Sequence, residues 1–82
     1  MRKLMSADRK IIREMLDDCY NAYELSTDRT VSKEMAEEFK LDFERNLYKL
    51  KGYCMCIDLF VDIVNDEIIV GNTYNPIDRQ KL

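Results

Sequence analysis

The sequence predicts a small α+β domain in which two antiparallel helices pack on a C-terminal β-hairpin, in the order α-α-β-β. Two stretches have apolar residues every three or four positions, which indicates amphipathic helices. A third stretch alternates apolar and mixed positions and then reaches an Asn-Asp turn signal, which indicates a hairpin. With 82 residues, the chain suits one domain near the lower size limit for folding without disulfides or metals.

The first helix is predicted over residues 7–25, with Ser6 as its N-cap. Arg9, Lys10 and Arg13 lie at its N-terminal end, where the helix dipole disfavours cations by about 0.3–1 kcal/mol each. These charges indicate either a solvated helix end or a contact with an acidic protein, lipid headgroups or phosphate. The apolar stripe of this helix comprises Ile12, Met15, Leu16, Cys19, Tyr20, Ala22 and Tyr23.

The second helix is predicted over residues 32–51, after a loop that covers residues 24–30. Ser32 or Thr30 is its expected N-cap, and Gly52 is expected to end it in the left-handed conformation. Its predicted buried stripe comprises Met35, Ala36, Phe39, Phe43, Leu47 and Leu50.

The two strands are predicted over residues 53–64 and 67–74, with Asn65 and Asp66 as the turn. In that register two pairs lie on the dry face, Ile63 with Ile68 and Val61 with Val70. Three pairs lie on the other face: Phe60 with Gly71, Asp62 with Ile69, and Asp58 with Thr73. Because Asn75-Pro76 should stop the ladder, residues 75–82 are expected to form a loose tail.

The second face of this hairpin is half apolar and both of its edges are open, which favours a partner protein or a homodimer through the hairpin. A single-layer domain with some exposed apolar groups is the alternative. The candidate partner-binding residues are Tyr53, Asp58, Phe60, Asp62, Tyr74, Arg9, Lys10 and Arg13.

The charge is unevenly distributed along the chain. The net charge is −3, made up of +4 in residues 1–13, −6 in residues 14–45 and −1 in residues 46–82. Nonspecific binding to nucleic acid needs a positive footprint, so nucleic acid is not the expected partner. The acidic segment indicates either solvated helix faces or a surface that engages a basic partner or mimics nucleic acid.

The sequence contains no pattern of catalytic or ligand-binding residues, and we expect neither an enzyme nor a cofactor. The chain has no histidine, the usual base for nucleophilic catalysis. Cys54 and Cys56 are expected on one face of a strand, and all three cysteines are expected to be free, buried thiols in a reducing compartment. A metal site formed by Cys19, Cys54 and Cys56, completed by Asp58, is the alternative. No segment suits a membrane span or a signal peptide, so the expected location is the cytoplasm.

Three functional hypotheses follow from these observations. The first is a small cytoplasmic module that regulates or inhibits a partner protein by binding its surface; its size and composition suit the accessory proteins of phages and mobile elements. The second is a nucleic-acid-linked regulator, which either binds phosphate through the basic N-terminus or mimics nucleic acid through the acidic helix. The third is an enzyme or metal protein that uses the cysteines.

Overall fold

A computed structural model describes residues 4–72 and 75–82 and confirms the α+β class. Two helices precede a three-stranded antiparallel sheet in the order β1-β2-β3, so the predicted hairpin gains a third strand. The elements are α1 (Ser6–Ser26), α2 (Lys33–Met55), β1 (Phe60–Val64), β2 (Glu67–Gly71) and β3 (Pro76–Lys81).

The first helix begins one residue earlier than predicted, and Ser6 is its first helical residue rather than its cap. Met5 occupies the N-cap position, and its backbone N–H donates to Oδ2 of Asp8 at 2.9 Å. A carboxylate in the first turn therefore satisfies a backbone donor and suits the positive end of the helix dipole. At the other end, the Ser26 hydroxyl donates to the Tyr23 carbonyl at 2.7 Å.

The second helix begins one residue later than predicted and ends four residues later. Ser32 is its N-cap, and the Ser32 hydroxyl oxygen accepts from the Met35 N–H at 3.3 Å. The expectation that Gly52 ends the helix in a left-handed conformation was wrong, because the helix continues to Met55. Burial of Cys54 two residues further on outweighs the roughly 1 kcal/mol that glycine costs within a helix.

Asp58 supplies the left-handed residue that ends α2, with a φ of 60°. The Leu59 N–H donates to the Cys54 carbonyl at 2.8 Å, and the Asp58 N–H donates to the Met55 carbonyl at 3.3 Å. This pair of bonds is the Schellman pattern of helix termination. The prediction that residues 53–59 belong to the first strand was therefore wrong, and Asp58 cannot face Thr73 across a ladder; Thr73 itself lies outside the described residues.

The hairpin has the predicted register over the length of β1. Val61 pairs with Val70, Asp62 with Ile69, Ile63 with Ile68 and Phe60 with Gly71. Both turn residues have positive φ, 52° at Asn65 and 59° at Asp66, which is the type I′ geometry that matches strand twist.

The expected loose tail is instead strand β3, which pairs antiparallel with β2. Pro76 occupies the first position of this edge strand, where a missing N–H is tolerated. The ladder is irregular between Val70 and Gly71, where the chain passes very close to itself. A Cβ at Gly71 would lie 2.6 Å from the Asn75 carbonyl oxygen, so only glycine fits there without a backbone shift.

The helices cover one face of the sheet, with α1 packed against β3 and α2 against β1. Ile68 and Val70 on the central strand have no exposed surface and lie in the core beneath the helices. The core residues are Ile12, Leu16, Cys19, Leu50, Cys54, Ile57, Leu59, Ile68 and Val70.

Candidate protein-interaction surface

The strand β1 is an edge of the sheet that carries exposed apolar side chains on both of its faces. Among the described residues it pairs only with β2, so one row of its backbone groups has no ladder partner there. Phe60 is 47% exposed, Ile63 42% and Val64 44%. Ile63 was predicted to lie on the dry face with Ile68, yet only Ile68 is buried, because Ile63 lies at the margin of the sheet. We call Phe60–Val64 the β1 edge.

The opposite edge of the sheet, β3, has a different chemistry. It begins with Pro76, and it continues with Asp78, Arg79, Gln80 and Lys81. Proline, charged side chains and lysine in particular are the features by which natural edge strands avoid pairing with other chains. The β1 edge has one charged residue, Asp62, and no proline. Only β1 therefore has the character of a strand that can accept another strand.

Two of the predicted binding residues, Phe60 and Asp62, lie together on the outer face of β1. They occupy alternate positions of one strand, and both are exposed. Ile69 lies directly opposite Asp62 and is half-buried on the same face. This face therefore presents an apolar surface around a single carboxylate, whose Oδ1 also accepts from the Ile63 N–H at 2.9 Å.

The other predicted residues of the hairpin do not join this surface. Tyr53 belongs to α2, and its hydroxyl donates to Oδ1 of Asp8 at 2.6 Å, across to the start of α1. Asp8 is only 3% exposed, so this contact lies within the folded protein. Asp58 ends α2 and is exposed. Tyr74 lies outside the described residues.

The three basic residues of α1 do not act as one cluster. Arg9 and Lys10 are exposed, whereas the guanidinium of Arg13 reaches the last strand. It donates to Asp78 Oδ1 at 2.9 Å, to the Arg79 carbonyl at 3.2 Å and to the Gln80 side chain. It also donates to Oδ1 of Asp17 one turn along the helix, at 3.0 Å from Nη2. Two carboxylates therefore already compensate the charge of Arg13, and its contacts join α1 to β3.

One exposed apolar row was not predicted from the sequence. Leu41, Tyr48 and Met55 lie on the solvent face of α2, and they are 51%, 80% and 75% exposed. Their signal is the spacing of seven residues, which keeps side chains on one side of a helix. The buried stripe of the same helix obscured that signal, because it accounts for most of the apolar residues.

A groove lies between the helices at the end that contains Ser26 and Lys33. It has a volume of about 360 Å³, and Tyr23 and Phe43 line it with ring centroids 5.5 Å apart. The rings are tilted by 59°, an arrangement that aromatic pairs favour.

The cysteines lie in three different environments rather than on one strand. Cys54 and Cys56 are at the end of α2, Cys54 buried and Cys56 exposed, and all three thiols are free. Burial raises the pKa of both Cys19 and Cys54 to about 11, and the neighbouring Asp18 carboxylate contributes at Cys19. Within residues 4–72 and 75–82, no three cysteine, aspartate or glutamate side chains are grouped so as to hold a metal ion.

Comparison with family models, with curated proteins and with solved structures gave no match. Neither helix, over the part of the chain that the structure describes, is long and apolar enough to cross a membrane.

Proposed function

We propose that this protein is a small interaction module that regulates or inhibits a partner protein, and that it binds an extended segment of that partner along the β1 edge. The observation that carries the proposal is the difference between the two edges of the sheet. One edge carries proline and four polar residues, and the other presents three exposed apolar side chains beside a backbone row that has no ladder partner among the described residues.

Strand addition to an exposed edge explains how a chain of this size can hold a partner. The added strand forms main-chain hydrogen bonds, and alternate side chains on each face give the specificity. Phe60 and Val64 offer apolar contacts on the outer face, on either side of the Asp62 carboxylate. The chemistry that fits this surface is an extended segment with apolar residues and one lysine or arginine placed to meet Asp62.

The phosphate-binding alternative gains no support from the geometry. Arg13 is engaged with Asp17 and Asp78, so Arg9 and Lys10 are left as the exposed cations of that helix within the described residues. Two exposed cations on one turn do not distinguish a phosphate site from an ordinary helix surface.

The proposal is tested by capture of partners from lysate of the source cells with matched variants. Ile63→Lys places on the β1 edge the residue that natural edges use to prevent pairing. Tyr48→Lys is the control, because it makes the same type of change on the exposed face of α2. We expect one dominant stoichiometric protein with the wild type and with Tyr48→Lys, and its loss with Ile63→Lys.

Amide hydrogen exchange then locates the contact on the captured complex. In this register the amides of Val61 and Ile63 point away from β2, and they should exchange more slowly in the complex than in the free protein, since a new strand would bond them. Recovery of background proteins alone, or equal capture by Ile63→Lys, would show that the β1 edge does not bind a partner.

A further inference from the structure

We infer that the exposed face of α2 binds a second copy of this chain, helix against helix in antiparallel orientation. The surface is the row of Leu41, Tyr48 and Met55, which we call the α2 row. It lies on a different element from the β1 edge, and the inference does not depend on the function proposed above.

The α2 row has the shape that a packed helix needs. A shallow depression lies between Leu41 and Tyr48, and it is lined as well by Glu44, Arg45 and Lys49. Such a hollow between side chains one and two turns apart is the hole that receives a side chain from a facing helix. The seven-residue spacing continues the row for four turns, from Leu41 to Met55.

Gly52 is a second, independent observation on the same face. It lies one turn after Tyr48, within a helix, where glycine lowers helix stability. A Cβ at this position would meet no atom within 4 Å among the described residues, so packing inside the chain does not require glycine here. A position without a side chain beside an apolar row allows the backbone of another helix to approach closely.

The charges on this face identify the occupant. The N-terminal half of the face is acidic and the C-terminal half is basic. Its acidic residues are Glu34, Glu37, Glu38, Asp42 and Glu44, and its basic residues are Arg45 and Lys49. Lys33 and Lys51 lie at one margin of the face, one in each half. Arg45 also pairs with Asp42 of its own helix at 3.7 Å. The helix dipole does not account for the basic half, because the last turn of α2 contains no basic residue and the dipole acts mainly within that turn.

Two copies of this face have complementary charges when a two-fold axis relates them. In an antiparallel pair the acidic half of each helix faces the basic half of the other, whereas a parallel pair would place like charges together. If the two-fold axis passes between Glu44 and Arg45, Leu41 of each copy lies level with Tyr48 of the other. Glu38 of each copy then lies within two residues of the level of Lys49 of the other copy, on the same flank of the pair, and every contact occurs twice.

The interface is a single apolar row, so we expect a weak dimer that forms as the protein concentration rises. Interfaces that bury less than about 1,200 Å² in total belong to weak and transient pairs. Sedimentation equilibrium measures the dissociation constant of the wild type. The protein concentration should run from about 10 µM to about 1 mM, the range in which weak pairs of this kind form. Tyr48→Lys should raise that constant by at least about tenfold, since it places a charge opposite Leu41 of the other copy at two places in the dimer.

Charge reversal provides the test of orientation. Glu38→Lys alone and Lys49→Glu alone should each weaken the dimer, and the double variant should restore it, because each copy then presents the reversed pair. Raising the salt concentration should weaken the wild-type dimer through screening. Since these side chains are exposed, circular dichroism and thermal melting should show the same fold for every variant.

Ile63→Lys is the matched control, and it should dimerise like the wild type. A dissociation constant of about 1 mM corresponds to roughly 4 kcal/mol of binding free energy. A protein that stays monomeric up to about 1 mM would overturn the inference. So would a dimer that tolerates Tyr48→Lys, or one that Ile63→Lys abolishes, since the latter would assign self-association to the β1 edge.

Discussion

Replacement of Arg13 by alanine should destabilise the fold, although Arg13 resembles its basic neighbours in the sequence. The side chain is 38% exposed, and it joins α1 to β3 through Asp78, the Arg79 carbonyl and the Gln80 side chain. Arg9 lies one turn earlier and is exposed. Arg9→Ala is therefore the matched control, with the same loss of charge and without the contacts to β3.

The size of the effect follows from the exposure of the partners. A hydrogen bond to a charged group contributes about 1.5–3 kcal/mol when it is buried, and an exposed ion pair contributes about 0.2–1 kcal/mol. Asp78 is 26% exposed and Asp17 is 58% exposed, so most of the effect should come from the contact with Asp78. Because Arg13 is itself partly solvated, we expect a loss of about 1–2 kcal/mol for Arg13→Ala.

Urea unfolding measures this loss as a lower midpoint with an unchanged slope. For a domain of this size, 1 kcal/mol corresponds to roughly 4–8 °C in Tm. A double-mutant cycle of Arg13→Ala with Asp78→Asn should show coupling, and Arg13→Lys should recover only part of the stability, because lysine lacks the planar fork of donors. Equal midpoints for Arg13→Ala and Arg9→Ala, within about 0.5 kcal/mol, would refute the reasoning.

Three further predictions concern the glycines and the cysteines. Gly52→Ala should raise the free energy of unfolding by roughly 1 kcal/mol, and Gly71→Ala should lower it by about 1–3 kcal/mol. The two effects differ in sign because only at Gly71 would a Cβ collide with backbone atoms. Urea unfolding measures both, and effects of the same sign would contradict this prediction. A thiol reagent followed by mass spectrometry should label Cys56 rapidly and Cys19 and Cys54 only upon unfolding, and equal rates in the folded protein would contradict the burial assigned to these two thiols. The free energy of unfolding should fall between pH 9 and pH 11. The thiols of the unfolded chain ionise near pH 9.0, whereas burial raises the pKa of Cys19 and Cys54 to about 11 in the folded protein. The unfolded state therefore binds fewer protons than the folded state in this range, and rising pH favours unfolding. That fall should be shallower in a Cys19→Ala, Cys54→Ala double variant, and the same slope in this variant and in the wild type would count against it.

The register of the hairpin could be predicted because local and global signals agree there. Asn65 and Asp66 tolerate the positive φ of a type I′ turn, and a two-residue turn fixes which residues face each other. The alternation of apolar residues then leaves one register that pairs Val61 with Val70. Amphipathic periodicity likewise located both helices to within a few residues at three of their four ends.

The segment of residues 53–59 was predicted wrongly because its pattern fits two periods. Its odd positions are apolar, as in a strand, yet Leu50, Cys54 and Ile57 also follow the three-four spacing of a helix that continues into a cap. The contact of Tyr53 with Asp8 and the burial of Cys54 belong to the helical alternative. Both depend on α1, which a local pattern cannot reveal.

The third strand could not be predicted, because four of its six residues are polar and it begins with a proline. Its pairing with β2 and the contact between Asp78 and Arg13 hold this segment in place, and these partners are distant in the sequence. In the candidate surface, Phe60 and Asp62 were predicted correctly as neighbours. The difference between the two edges was not predictable, because it required knowing that β3 exists.

The position of the core implies that stability is graded along the molecule. At 1.5 Å per residue α1 and α2 are about 31 and 34 Å long, whereas five residues of strand span about 17 Å. The sheet therefore supports one half of the helical pair, and at the other half Ala22 is the last buried residue of α1. Because local opening costs least where few buried contacts are lost, amides near Ser26 and Lys33 should exchange fastest. We therefore expect local opening to begin at the end of the helical pair that lies beyond the sheet, while the block of helix and sheet stays closed.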